Sequence, residues 1–185
     1  MQIFFQIFHR RCAVAITKGL VLSLALLALF AMVTAGCGPS EPTRLKIGDS
    51  APDFSITDLQ GTFISSEKWR GSPVILRFWD TECKYCRADT PIINSYFDKY
   101  QQRGLKVLYV ATGNETVERV EQFIKELDII FPVALDHDRS LAAAYQVRII
   151  PQTIFISPDR KIITAVLGGL GDAELEELLG KYLSP

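Results

Sequence analysis

Two cysteines three positions apart, Cys83-Lys84-Tyr85-Cys86, stand where a dense apolar run, Val74-Ile75-Leu76-Arg77-Phe78-Trp79, gives way to a helix-like segment. Few features constrain a fold more. Thiols at this spacing, on a strand-to-helix junction, can close a small disulfide ring and reopen it by handing electrons to another protein. A structural staple is the competing reading, but bridging such close neighbours removes little entropy from the unfolded chain. The pair therefore reads as a redox site. The other two cysteines, Cys12 and Cys37, lie far upstream and have no comparable spacing.

The pattern around the pair predicts an α/β chain. Ala51 to Thr57 alternates apolar and polar residues, and Asp58 to Gly61 turns the chain, as in an opening hairpin. Pro73 starts a strand, buried on both faces, that runs to Trp79. Lys84 to Arg103 is helical in character, with Pro91 as an expected kink. Leu105 to Ala111 is a second apolar strand.

Asn114 is placed to cap the next helix, with Glu115 and Glu118 at its positive end and Val117, Val120, Ile124 and Leu127 as its buried stripe. Asp138 to Gln146 reads as a shorter helix. Thr153 to Ser157 and Ile162 to Leu167 read as a strand pair, and a last helix follows Asp172 with Leu175, Leu178, Leu179 and Tyr182 inward. This order predicts a mixed central sheet, parallel through its crossovers and antiparallel at the final hairpin, with helices around it. Phe78 and Trp79 are expected in the core and Tyr85 at the surface. Arg77 breaks an apolar run: it either pairs with an acid or reaches solvent along its aliphatic stem.

The first 36 residues read as a targeting segment. They carry His9, Arg10, Arg11 and Lys18 and no acid, then an almost wholly apolar stretch from Gly19 to Ala35. Cys37, directly after Ala35-Gly36, resembles the lipid-acceptor cysteine of a bacterial lipoprotein. Retention of the apolar stretch as an uncleaved anchor is the alternative, because its length is just about a membrane span. Either way the remainder is tethered to a membrane outside the cytoplasm, through a short linker over residues 37–44. Residues 45–184 form one domain. Removing residues 1–36 takes three cations and no acid, so the formal charge moves from −1 to about −4. Nothing in that balance points to nucleic acid or anionic lipid.

Several motifs together carry a family resemblance: Ile47-Gly48-Asp49-Ser50-Ala51-Pro52-Asp53-Phe54, the turn at Asp58 to Gly61, Phe78-Trp79 ahead of the cysteine pair, and Ile150-Pro151-Gln152-Thr153. In order and spacing the chain resembles the membrane-tethered thioredoxin-like proteins of the TlpA/ResA type, over about residues 45–184. The resemblance implies a thioredoxin-like fold with an N-terminal β-hairpin extension. It also implies a cis peptide at Pro151, a partner segment lying against the Ile150 backbone, and a carboxylate near Cys86, here Asp89, as its proton acceptor. Asp89 as a mere favourable charge in the helix's first turn is the alternative. The chain departs from the family at Glu82, where tryptophan is usual, and at Arg77, where a typical thioredoxin has a buried acid. Gln152 stands where the cytochrome-maturation branch usually has glutamate, so that branch is not supported.

A thiol–disulfide oxidoreductase follows, most simply a protein disulfide reductase. Cys83, near the helix N-terminus, attacks; Cys86, one turn in, resolves. The substrate-binding residues are Ile150, Pro151 and Tyr85. No cofactor or metal is expected; the partners are disulfide-containing envelope proteins and a membrane thiol donor for recycling. Two alternatives come from other classes. A thiol peroxidase would want threonine or serine three residues before the reactive cysteine, where Asp80 stands and Thr81 is one residue late. A metal-binding CxxC module would want further ligands, and His137 reads as a loop residue.

Overall fold

The computed structural model describes residues 45–183. The targeting segment, Cys37 and the linker lie outside them. A two-stranded hairpin, β1 (Ser55–Thr57) and β2 (Phe63–Ser65), leads through a 3₁₀ turn (Ser66–Trp69) into β3 (Val74–Trp79). Helix α1 (Lys84–Tyr100), β4 (Lys106–Thr112), α2 (Val117–Glu126), β5 (Val133–Asp136) and α3 (Ser140–Ala144) follow. Strands β6 (Gln152–Ile156) and β7 (Ile162–Leu167) and helix α4 (Asp172–Leu183) complete the domain. The main sheet has the order β5-β4-β3-β6-β7. Strand β3 runs parallel to β4 and antiparallel to β6, and β4 runs parallel to β5. This is the expected mixed α/β sheet with its preceding hairpin.

Strand β3 is central and buried along its whole length. Side chains alternate across a strand, and β3 sorts its residues accordingly. Ile75 and Trp79 enter the core under α1, α2 and α4, whereas Val74, Leu76 and Phe78 enter the core under the hairpin and α3. Arg77, two residues from each of Ile75 and Trp79, therefore points into the first layer, beneath α1. That helix buries Cys86, Asp89, Thr90, Ile93, Tyr96 and Tyr100 at helical spacing and continues through Pro91 to Tyr100. A 3₁₀ turn follows, and Gly104 stops the chain at φ 96°, a left-handed conformation glycine takes without a side-chain clash.

One element was not anticipated and two expectations are corrected. Strand β5 had no counterpart in the sequence reading. At four residues between Pro132 and a turn it carries too short a pattern, and it exists because its parallel pairing with Tyr109–Thr112 supplies the ladder. Thr116, not Asn114, caps α2, its hydroxyl accepting from Arg119 N. Val120, Ile124 and Leu127 face the core as expected, but Val117, in the first turn, is 41% exposed, and Phe123, absent from the expected stripe, is buried against Trp79 with ring centroids 4.3 Å apart. The third helix is shorter than expected, Ser140–Ala144, because the Asp136 carboxylate receives the N–H groups of Leu141 and Ala142 and fixes where it starts.

Candidate active site

Cys83 is the N-cap of α1. Its Sγ accepts from Cys86 N at 3.1 Å, and the two sulfurs are joined as a disulfide. The sulfurs are not equivalent in access: Cys83 is 8% exposed and Cys86 fully buried. The loop ahead of the pair is pinned by Glu115, whose buried carboxylate receives Thr81 N at 3.0 Å and the Thr81 hydroxyl at 3.1 Å. Glu82, whose charge the sequence sets beside Cys83, is exposed and paired with Arg119 at 3.1 Å. Arg87 leans over the Phe123 ring and pairs with Glu126 at 2.8 Å.

Beneath Cys86 lies an ionic group enclosed by protein. Arg77, fully buried, donates from Nη2 to Asp89 Oδ2 at 2.8 Å and to Cys86 Sγ at 3.6 Å, and from Nη1 to Thr153 Oγ1 at 2.5 Å. Asp89 Oδ2 also receives Leu170 N at 2.9 Å from the β7–α4 loop. Asp89 Oδ1 and Arg77 Nε are buried with no hydrogen-bond partner. Burial pushes the Asp89 carboxyl above the usual carboxylate range, against the pull of the Arg77 charge and the Leu170 N–H. On the same layer Thr90 bridges the Cys86 carbonyl at 2.6 Å and the Tyr109 hydroxyl at 3.2 Å, and burial pushes the Tyr109 phenol far up.

The Ile150–Pro151 bond is cis. Strand β6 pairs with β3 through Phe78↔Gln152, which carries Pro151 to the end of β3 where the Cys83 loop departs. Gly168 N donates to the Pro151 carbonyl at 3.0 Å. The next residue, Gly169, comes close to α1: a Cβ there would sit 3.5 Å from the Tyr85 ring and 3.8 Å from Asp89 Oδ2. Tyr85 is 61% exposed; Ile149, one residue before Ile150, and Leu167, the last residue of β7, are also exposed apolar side chains.

Comparison with known proteins agrees with this geometry. The AhpC/TSA family model matches residues 47–165. The thiol–disulfide oxidoreductase ResA of Bacillus cereus is 34% identical over 142 residues, covering 77% of this chain and 82% of that protein. ResA of Bacillus subtilis is 30% identical over 132 residues, 71% of this chain and 73% of its own length. The chain belongs to the AhpC/TSA family, among its ResA-type thiol–disulfide oxidoreductases. A thiol:disulfide interchange protein of the thioredoxin family from Chlorobium tepidum shares the fold, with TM-score 0.68 and 23% identity over 75% of this chain and 99% of that one.

In this ResA-type oxidoreductase, Cys83, Cys86 and Asp89 gather at the N-terminal end of α1, and Pro151 is cis as the resemblance implied. Ile150 is half-buried beside it. Of the two readings of Arg77, pairing with an acid is the one realised, and the acid is Asp89. Leu170 N was not singled out from the sequence, and Glu115 and Thr153 were read only as a helix-end charge and as part of a motif: the contacts that bring them to the site come from different elements. Thr81, one residue late for a peroxidase motif, has its hydroxyl committed to Glu115. His137 lies exposed in a turn. Among the described residues no group of three or more His, Cys, Asp and Glu is placed to hold a metal ion, and no helix is long and apolar enough to cross a membrane.

Proposed function

We propose that this chain is a membrane-tethered reductant of protein disulfides in the bacterial cell envelope, with Cys83 attacking and Cys86 resolving. The observation that carries the assignment of roles is the difference between the sulfurs: Cys83 alone has an exposed edge and caps the helix, where N–H groups and the helix dipole favour thiolate. The Cys83 thiolate attacks a partner disulfide, forming a mixed disulfide and releasing one partner thiolate. Cys86 loses its proton and attacks Cys83 Sγ; the second partner sulfur leaves, and the protein is left oxidised.

Asp89 is the proposed acceptor of the Cys86 proton. Its raised carboxyl lies nearer a thiol in proton affinity than an ordinary carboxylate does, and its Oδ1 is unengaged. The cis-Pro151 loop leaves the Ile150 backbone available to pair with an extended partner segment, and the Tyr85 ring offers an apolar contact beside it. Residues 1–36 direct export, Cys37 carries the lipid, and residues 37–44 link it to the domain. Electrons pass between sulfur pairs without a cofactor, and a membrane dithiol donor restores the reduced form.

Trapping tests the reading. Cys86→Ala is expected to accumulate mixed disulfides with envelope proteins, each released by a strong reductant, while Cys83→Ala accumulates none. Equal capture by Cys83→Ala would overturn the assignment of attacking and resolving roles. Failure of the reduced protein to reduce insulin, with consumption of peroxide instead, would replace the reading with a thiol peroxidase.

A further inference from the structure

Arg77 has no chemical task in the oxidoreductase reading, and its placement is unusual. A guanidinium cannot shed its charge in a protein, and placing one where water cannot reach is costly unless its surroundings answer it. Here the answer is incomplete. Nη1 donates to a neutral hydroxyl, Nε has no partner, and Nη2 is divided among a carboxylate oxygen at 2.8 Å, the Gly168 carbonyl at 3.4 Å and the Cys86 sulfur at 3.6 Å. One anion, whose burial already favours its neutral form, faces a permanent cation that also touches a sulfur.

Resting on the oxidoreductase reading, we infer that Arg77 is the cation that holds Cys86 as a thiolate once the disulfide opens. When a donor dithiol recharges the protein, its thiolate attacks Cys83 Sγ. A new sulfur–sulfur bond forms there, the Cys83–Cys86 bond breaks, and its electron pair leaves on Cys86 Sγ. The second donor thiolate then attacks the first donor sulfur: the donor disulfide forms, the bond to Cys83 breaks, and its electron pair leaves on Cys83 Sγ. The negative charge created at Cys86 arises on a fully buried sulfur, against Nη2. The same contact lowers the proton affinity of Cys86 before it attacks a mixed disulfide, and Asp89, on the same nitrogen, takes the proton. Arg77 thus acts on the buried sulfur, whereas the helix N-terminus acts on the exposed one.

The groups facing Cys86 limit what else can set its proton affinity. From α1 these are Asp89 and Cys83; from β3, Arg77; from β4, Tyr109, neutral through any working pH because burial raises its phenol; from β6, Thr153, which does not titrate. The β7–α4 loop contributes only the Gly168 carbonyl, which accepts from Arg77, and Leu170 N, which donates to Asp89.

The test measures the thiolate itself. In the full-length Cys83→Ala protein, thiolate absorbance near 240 nm is followed against pH, and the same titration of Cys83→Ala/Cys86→Ala is subtracted to remove Cys12, Cys37 and the tyrosines. An opposite charge within reach shifts a pKa by about one to three units. Adding Arg77→Met is therefore expected to raise the Cys86 midpoint by that amount, cutting the thiolate fraction at neutral pH by about tenfold or more. Arg77→Lys, which keeps a cation, recovers at least half of the shift.

Asp89→Asn, which frees the guanidinium from its carboxylate, moves the midpoint the other way, and it supplies the readout should Arg77→Met not fold. A merely structural arginine would leave the midpoint in place or move it alike in Met, Lys and Asn variants, and either result overturns the inference. Unmoved midpoints, with the parent protein that keeps both cysteines still reducing insulin, would refute the inference and leave the oxidoreductase reading standing. Shifted midpoints, with that parent protein reducing no disulfide, would do the reverse.

Discussion

Removing either end of the Arg77–Asp89 pair should destabilise the fold, but with opposite sensitivity to pH. Asp89→Ala strands a buried guanidinium that cannot neutralise itself, and breaking a buried pair this way costs about 3–5 kcal/mol. Burial holds the folded Asp89 pKa above its unfolded value. Its contribution to stability is therefore greatest below the ordinary carboxyl value and is lost as pH rises through the folded one. The cost of Asp89→Ala is thus no smaller at about pH 4.5 than at about pH 7.

Arg77→Met leaves a carboxyl that escapes by taking up a proton. Protonating a carboxyl of ordinary pKa at neutral pH costs about 1.4 kcal/mol per unit, a ceiling of about 4 kcal/mol at pH 7 that falls below about 1 kcal/mol at pH 4.5. We expect a loss of about 2–4 kcal/mol at neutral pH that shrinks to within about 1 kcal/mol in acid. Urea unfolding of the oxidised protein at both pH values, with the disulfide intact throughout, measures both variants. An Arg77→Met deficit equal at the two pH values, or an Asp89→Ala deficit that vanishes in acid, would refute the account of which charge is trapped.

Glu115→Ala should cost about 1–3 kcal/mol in the same assay, because Thr81 N and its hydroxyl lose their buried acceptor, whereas Glu115→Gln retains most of it. In α2, Phe123→Ala should cost about 3–5 kcal/mol and Val117→Ala no more than about 0.5 kcal/mol, the reverse of what the expected stripe would give. Tyr85→Ala should leave the unfolding midpoint within about 0.5 kcal/mol of the parent while raising KM for a protein disulfide substrate in the insulin assay.

The fold was legible wherever a pattern was long or chemically exclusive. Strand β3 announced itself as an apolar run interrupted only by Arg77, α1 by helical spacing, and the β6–β7 pair by two apolar runs close in sequence. Short elements were not: β5 depends on a neighbour for its ladder. The start of α2 depends on which of Asn114, Glu115 and Thr116 is free to cap, and Glu115 is taken up by Thr81, far away in sequence.

The two sulfurs and their place at a helix start were written into the chain, because residues three apart meet when the intervening backbone takes a helical turn. The sequence also marked Arg77 as out of place, since nothing polar belongs in the middle of an apolar strand. What Arg77 does was decided only by tertiary structure. Strand alternation aims it under α1, the helical turn brings Asp89 and Cys86 to the same side, and the β6 register sets Thr153 alongside. A charge shared among three elements distant in sequence has no local signature; its partners are fixed only when the layers close and water is excluded.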